Sequence, residues 1–287
     1  MKAPFPSSAA RLWTLFAGVS HLLPLVVCQP GCRTQTSYNY LSEDYPYSVS
    51  AVVNGTFSLI YLENKVAQSF LPEGYSFLES EAQEFHPLLL RATYVHDIRA
   101  PDDMVRNQHM MISFELPFVD ALEDGKTPFR YVSTQFISTG TPSYAADIAE
   151  AYGVPNVIRA VYDPECDAYD FADPLPDQPF DGRLTVLRAY IPDGTRRHTK
   201  ELYDIVTQPR FGLGSDGMVC GRTGALFGED AGFSREVEIK GDVTMVGEFE
   251  SLLPLFGDPS QIIGAYGVKT GALLVQDDFV PCEDLAQ

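Results

Sequence analysis

No Cys-x-x-Cys, no His-Glu-x-x-His and no cluster of His and Cys at ligand spacing occurs in these 287 residues. That absence argues against a built-in zinc site or a dithiol redox centre. A Gly-x-Ser-x-Gly elbow is also missing. The glycines at 212, 214, 217, 221 and 224 do not lead from a strand into a helix, so Gly214-Ser215-Asp216-Gly217 reads as a turn and not as a phosphate cradle. Basic side chains are scarce, 20 against 39 acidic. A surface of that sign repels phosphate backbones and anionic lipid, and argues against nucleic acid and the membrane surface as partners. No internal repeat and no linker-like stretch divides the chain.

What is present begins with an export signal. Lys2 and Arg11 supply the positive region, Leu12 to Val27 the apolar one, and Val26-x-Cys28 a small-residue cleavage site. The apolar run is broken by Ser20, His21 and Pro24 and is short for a bilayer span. The expectation is a signal peptide over 1–28 and a single β-rich domain over 29–287, placed in the secretory pathway: secreted, or in a vacuole or vesicle lumen. Removal of the signal takes two basic residues and leaves 18 against 39 acidic, a net charge near −21. Asn54-Gly55-Thr56 is the one glycosylation sequon, making Asn54 the candidate acceptor. Cleavage also leaves four cysteines, Cys32, Cys166, Cys220 and Cys282, which are expected to form disulfides in an oxidising compartment. Three pairings exist. Cys32 with Cys282 would staple the two ends, and Cys166 with Cys220 would then close a second loop.

The remaining pattern is mostly strand. Segments 56–61, 88–98, 110–119, 130–137, 183–191, 237–249 and 271–275 are rich in β-branched and aromatic residues. In 237–245 apolar Val237, Ile239, Val243 and Met245 alternate with Glu238, Lys240, Asp242 and Thr244. Three short helices are expected. One covers 64–71 and stops at Pro72. A second is capped by Thr141 and Gly153, with Tyr144, Ile148 and Tyr152 on one face. The third starts at Asp258-Pro-Ser-Gln261 and exits at Gly267. Tyr162 to Asp181, with four prolines and seven acids, reads as a loop or lid.

The order of these elements resembles the acetoacetate decarboxylase superfamily. The likeness is carried by Phe57-Ser-Leu-Ile-Tyr61 with Leu71-Pro-Glu-Gly-Tyr75, by Pro87-Leu-Leu-Leu-Arg91 with Val95-His-Asp97, and by Ala151-Tyr-Gly-Val-Pro155. Phe180-Asp-Gly-Arg-Leu-Thr-Val186 and Lys240-Gly-Asp-Val-Thr-Met-Val246 extend it, so that it spans roughly 50–275. The resemblance implies an α+β, mainly β fold: a closed β-barrel or cone with a central cavity and a few short helices. It also implies a Schiff-base lysine just before Gly153-Val-Pro155, where this chain reads Ile148-Ala-Glu-Ala-Tyr152 and has none. The family's arginine ahead of the first strand is replaced by Asn54. Its cavity carboxylate on the second strand has Arg91 in its place.

Other groups therefore have to carry any chemistry. Arg91 can bind a carboxylate or enolate oxygen. Glu115, flanked by apolar residues in Met111-Ile-Ser-Phe-Glu-Leu-Pro117, would have its pKa raised by burial and become a general acid or base. Glu150 is the third catalytic candidate. Tyr94, His96 and Tyr152 are candidates for contacting substrate, and His109 is a further titratable group. Glu248 matches a strand glutamate of the family, but the neighbouring Glu250 suggests an exposed strand end. Alternation places Arg91, with Thr93 and Val95, on one face of its strand and Tyr94 and His96 on the other. The expected function is cofactor-free acid–base chemistry on a small keto or enol compound. The reaction would be an isomerisation, dehydration or cyclisation of the polyketide-biosynthesis type, performed by a lyase or isomerase. Two alternatives stay open: a carrier of a small hydrophobic ligand on the same fold, and a β-keto acid decarboxylase with a relocated lysine. The expected partner is a small molecule; no metal or membrane partner is expected after signal cleavage, and a homo-oligomer is left open.

Overall fold

A run of β-branched and aromatic residues long enough to bury both faces builds the first strand, β1 (Val49–Glu63). Val53, Phe57 and Leu59 turn to one side and Val52, Ile60 and Leu62 to the other, and all six are buried. The computed structural model describes residues 37–78, 84–101, 105–106, 108–138, 144–164, 168–172, 181–185, 196–215, 217–233, 237–246 and 263–286. A single-turn helix, α1 (Leu41–Asp44), precedes β1.

β1 runs antiparallel to β2 (Phe85–Arg99), which pairs with β4 (His109–Val119) and with the two-residue β3 (Val105–Arg106). β4 pairs with β5 (Phe129–Ser138). Helix α3 (Tyr144–Ala151) then crosses over to β6 (Asn156–Pro164), which lies parallel to β5. The sheet continues through β7 (Ala168–Ala172), β8 (Asp181–Thr185) and β11 (Val237–Val246) to β12 (Ile263–Val280). β12 also pairs with β10 (Gly217–Phe227), which forms a hairpin with β9 (Arg210–Gly214). Two further pairings close the sheet on itself: β1 with β12, and β5 with β9 in parallel at Arg130↔Arg210 and Tyr131↔Phe211. The mainly β architecture with short helices is thus present, and the two closing pairings cover edges that an open sheet of this size would expose.

One core cluster fills the even-numbered face of β1 and β2, with Ile60, Leu90, Ile112, Phe114, Phe136 and Phe211. A second lies on the odd-numbered face, where helix α4 (Arg196–Val206) packs Leu202, Ile205 and Val206 against Val53, Phe57 and Leu89.

Several expected boundaries are corrected. The helix over 64–71 is α-helical only as α2 (Asn64–Gln68). The amides of Ser69, Phe70 and Leu71 then bond three residues back, tightening the turn before Pro72. The helix expected to exit at Gly267 is not formed there. Ile263 to Gly267 belong to β12, because that backbone pairs with β11 and β1; residues 258–262 lie outside the described residues. Strand 271–275 is the middle of an 18-residue strand held by three neighbours in turn. Within the proposed lid, Tyr162 to Pro164 finish β6, 168–172 form β7 and Asp181 opens β8; the Tyr162 hydroxyl donates to the Phe136 carbonyl, which ties that end of β6 down. α1, β3, β6, α4, β9 and β10 have no counterpart in the sequence pattern. The Gly214–Gly217 turn does join β9 to β10. The pairing of Cys32 with Cys282 and of Cys166 with Cys220 is also corrected. Cys282, on the 3₁₀ turn after β12, is bonded to Cys220 on β10, with Cα atoms 5.1 Å apart, because Val280 and Cys220 are already register partners. Cys32 and Cys166, the cleavage site, the Thr141 cap, Glu248 and Glu250 lie outside the described residues. Among the described residues no helix is long and apolar enough to cross a membrane.

Candidate functional site

Antiparallel pairing sets Arg91 opposite Phe57 on β1 and opposite Ser113 on β4, so Arg91, Ser113 and Glu115 emerge on one face. Arg91 is 4 % exposed and Glu115 not at all. The Arg91 Nη1 donates to Glu115 Oε1 at 3.2 Å, and the Ser113 hydroxyl donates to the same oxygen at 2.6 Å. Glu115 Oε2 accepts from Nη1 of a second arginine, Arg130. A β-bulge makes this possible. Ser113 faces Gln135 on β5, but the register then shifts between Phe114 and Glu115, so that Glu115 faces Val132. That slip turns Val132 and Arg130 to the face that Gln135 and Ile137 occupy beyond it. Arg130 is anchored further by its own amide to the Pro209 carbonyl and by Nε to the Gln208 carbonyl.

The electrostatics reverse the expectation for Glu115. Burial pushes its carboxyl up, but Arg130, then Arg91, the Ser113 hydroxyl and Arg210 pull it down to about 2. It is a fixed carboxylate with both oxygens occupied, not a group poised to exchange a proton. Burial, helped by the neighbouring charges of Arg91 and Arg210, lowers Arg130 to about 10 against the attraction of Glu115. Arg91 Nε and Arg130 Nη2 are buried without a hydrogen-bond partner.

Arg91 lines a cavity of about 260 Å³. One wall is α3 with the turn after it, contributing Ala145, Ile148, Ala149 and then Tyr152 at helical spacing. Opposite lie Val95 and Ile98 of β2, His109 and Met111 of β4, and Gln135 and Ile137 of β5. Arg210 of β9 also reaches it. α3 ends as the sequence suggests. Gly153 adopts φ +83°, with its amide bonded to the Glu150 carbonyl and that of Val154 to the Ala149 carbonyl. The helix end is seated closely on β9, where a Cβ on Gly212 would come within 1.9 Å of the Tyr152 carbonyl oxygen. The Tyr152 hydroxyl donates to the Arg210 carbonyl at 2.9 Å, and the Arg210 guanidinium lies 5.0 Å from the Tyr152 ring centroid.

Of the residues expected at the site, Arg91 and Tyr152 line the cavity and Glu115 sits behind Arg91. Glu150 does not join them. It lies about 150° around the helix from the cavity-lining positions, its side chain is 55 % exposed, and it pairs with Arg159 at 3.3 Å. Tyr94 and His96 are on the opposite face of β2, stacked on each other with ring centroids 5.1 Å apart. Burial lowers His96, with Asp97 opposing, and its Nε2 is 2.8 Å from Asn54 Nδ2, the atom a glycan would occupy. Sequence reasoning missed Arg130, whose position depends on the bulge, and Arg210, which arrives through the non-local β5–β9 pairing. His109 was noted as titratable and lies on the cavity wall.

No family model matches this chain, and no curated protein matches it. Solved structures do. The enduracididine biosynthesis enzyme MppR complexed with pyruvate aligns over 82 % of this chain and 91 % of its own, at 13 % identity and a TM-score of 0.50. MppR complexed with the condensation product of pyruvate and imidazole 4-carboxaldehyde covers 87 % and 98 %, also at 13 % identity and 0.50. Acetoacetate decarboxylase from Legionella pneumophila covers 87 % and 100 %, at 12 % identity and 0.49. The chain has the acetoacetate-decarboxylase-like fold; at these identities the likeness is one of fold.

Proposed function

We propose that this protein is a small-molecule enzyme of the secretory lumen. It would act on a keto or enol carboxylate by cofactor-free proton transfer, as a lyase or isomerase of secondary metabolism. One observation carries the reading: a buried arginine, fixed by a fully ionised glutamate, faces an apolar cavity that also holds a histidine. Arg91 takes the substrate's anionic oxygen, and Glu115 holds Arg91 in place through Oε1 while Arg130 holds Glu115. His109 stands opposite Val95, four residues further along β2, and moves the proton at the carbon beside the carbonyl. The apolar walls keep water from the enolate, where a guanidinium is worth more than in solution. The Cys220–Cys282 bond supports an oxidising compartment, and with it the export signal.

The test is deuterium incorporation into 3-oxohexanoate between its carbonyl groups, followed by proton NMR against a buffer control. The protein should accelerate exchange, and His109→Asn should reduce that acceleration about 100-fold, the lower end for a positioned acid–base group. Absence of acceleration would refute the enzyme reading. The carrier reading would then lead. It has its own support: no carboxylate is among the described residues that line the cavity, Glu150 points outward and Glu115 is fully engaged.

A further inference from the structure

Among the described residues, two buried arginines at the head of the cavity, Arg91 and Arg130, share one carboxylate, Glu115. Arg91 is more than nine-tenths buried, lines the cavity and keeps a buried Nε without a partner. A buried, under-compensated guanidinium is unfavourable unless an anion completes it. The rest of the chamber is different in kind. From Arg91 the wall runs along β2 through Val95 to Ile98, about 13 Å of strand over the first four residues. Ile148 and Ala149 of α3 and Met111 of β4 contribute apolar surface to the same chamber. At about 30 Å³ for each small group, 260 Å³ holds roughly nine non-hydrogen atoms.

We infer that the ligand is a monocarboxylate with an unbranched apolar tail, six to eight carbons in all, its carboxylate on Arg91 and its tail lying toward Val95 and Ile98. The inference rests on the proposed reading that this cavity is the functional site, and it sets the substrate class. A two- to four-carbon oxo acid would satisfy Arg91 but leave the apolar half of the chamber unfilled. A neutral chain would fill that half and leave the guanidinium uncompensated.

The experiment is calorimetric titration of the intact mature protein with butanoate, hexanoate, octanoate and dodecanoate, and with 1-hexanol and 1-octanol. Affinity should rise about four-fold per methylene up to octanoate and gain nothing further at dodecanoate. Each alcohol should bind at least 10-fold more weakly than the acid of equal length. Arg91→Met should remove the difference between acid and alcohol while leaving alcohol binding in place, and Ile98→Trp should move the plateau to shorter acids. Affinity independent of chain length, or alcohols equal to acids in the native protein, would overturn the inference, and neither result depends on a variant folding. The deuterium experiment fails separately. Chain-length selectivity without exchange would sink the enzyme reading and keep the ligand class; exchange with a flat chain-length series would do the reverse.

Discussion

Replacing Glu115 with Gln removes one charge at nearly constant shape, and the structure sets the consequence. Burial alone would raise the Glu115 carboxyl, yet Arg130 and Arg91 lower it from 4.5 to about 2. A folded-state pKa below the unfolded one gives stability that is present above about pH 4.5 and lost as pH falls through about 2. At 1.36 kcal/mol per pH unit, that gap is worth about 3 kcal/mol. Glu115→Gln imitates the protonated state, and its cost at pH 7 should be of the same size, because two buried guanidiniums lose their shared anion. The assay is urea unfolding of the native protein and the variant at half-unit steps from pH 7 to pH 2. Groups common to both proteins cancel in the difference, which should hold near 3 kcal/mol down to about pH 4.5 and shrink toward zero by about pH 2. A difference that stays constant across the range, or one below about 1 kcal/mol at pH 7, would refute the assignment of Glu115 as the ionised anchor of Arg91 and Arg130.

His86 is buried, stacked on Phe77 with ring centroids 3.6 Å apart and 2.9 Å from the Pro117 carbonyl, and burial lowers it from 6.5 to about 4. The unfolded chain therefore takes up the proton first, and relative to His86→Gln the native protein should lose about 3 kcal/mol between pH 6.5 and 4, read as a falling Tm difference. Cys220 and Cys282 are separated by 62 residues, so replacing both by Ala should lower stability by about 4 kcal/mol at 25 °C in denaturant unfolding. A non-reduced peptide map should join those two cysteines, and the mature N-terminus should lie close to Gln29. Borohydride with acetoacetate should trap no adduct, since no lysine is among the described residues lining the cavity; a stoichiometric adduct on Lys126, Lys240 or Lys269 would restore the relocated-lysine decarboxylase.

Much of the sheet was legible because its signals are local. Alternation in 88–98 and 110–119 placed β2 and β4, and correctly separated the face of Arg91 from that of Tyr94 and His96. A glycine able to take positive φ marked the end of α3. Where the neighbours of a segment come from distant parts of the chain, local pattern fails. Asp258-Pro-Ser-Gln261 reads as a helix start with its exit at Gly267, but pairing with β11 and β1 makes Ile263 to Gly267 strand. Glu150 in α3 and Tyr152 just past its end are two residues apart, and the position of β9 beneath that end decides which of them meets the cavity.

The candidate site divides the same way. Residue order alone determined that Arg91 and Glu115 each stand on a strand, that no lysine lies in the helix just before Gly153, and that the chain is acidic with four cysteines beyond Cys28. The tertiary structure decided that Cys282 meets Cys220, that a one-residue slip in β4 and β5 turns Arg130 toward Glu115, and that the parallel β5–β9 contact brings in Arg210. Those three outcomes depend on register between segments far apart in sequence. Moving a strand by one residue exchanges its faces without changing its composition, so whether Glu115 is a proton donor or a locked counter-ion is a property of the pairing.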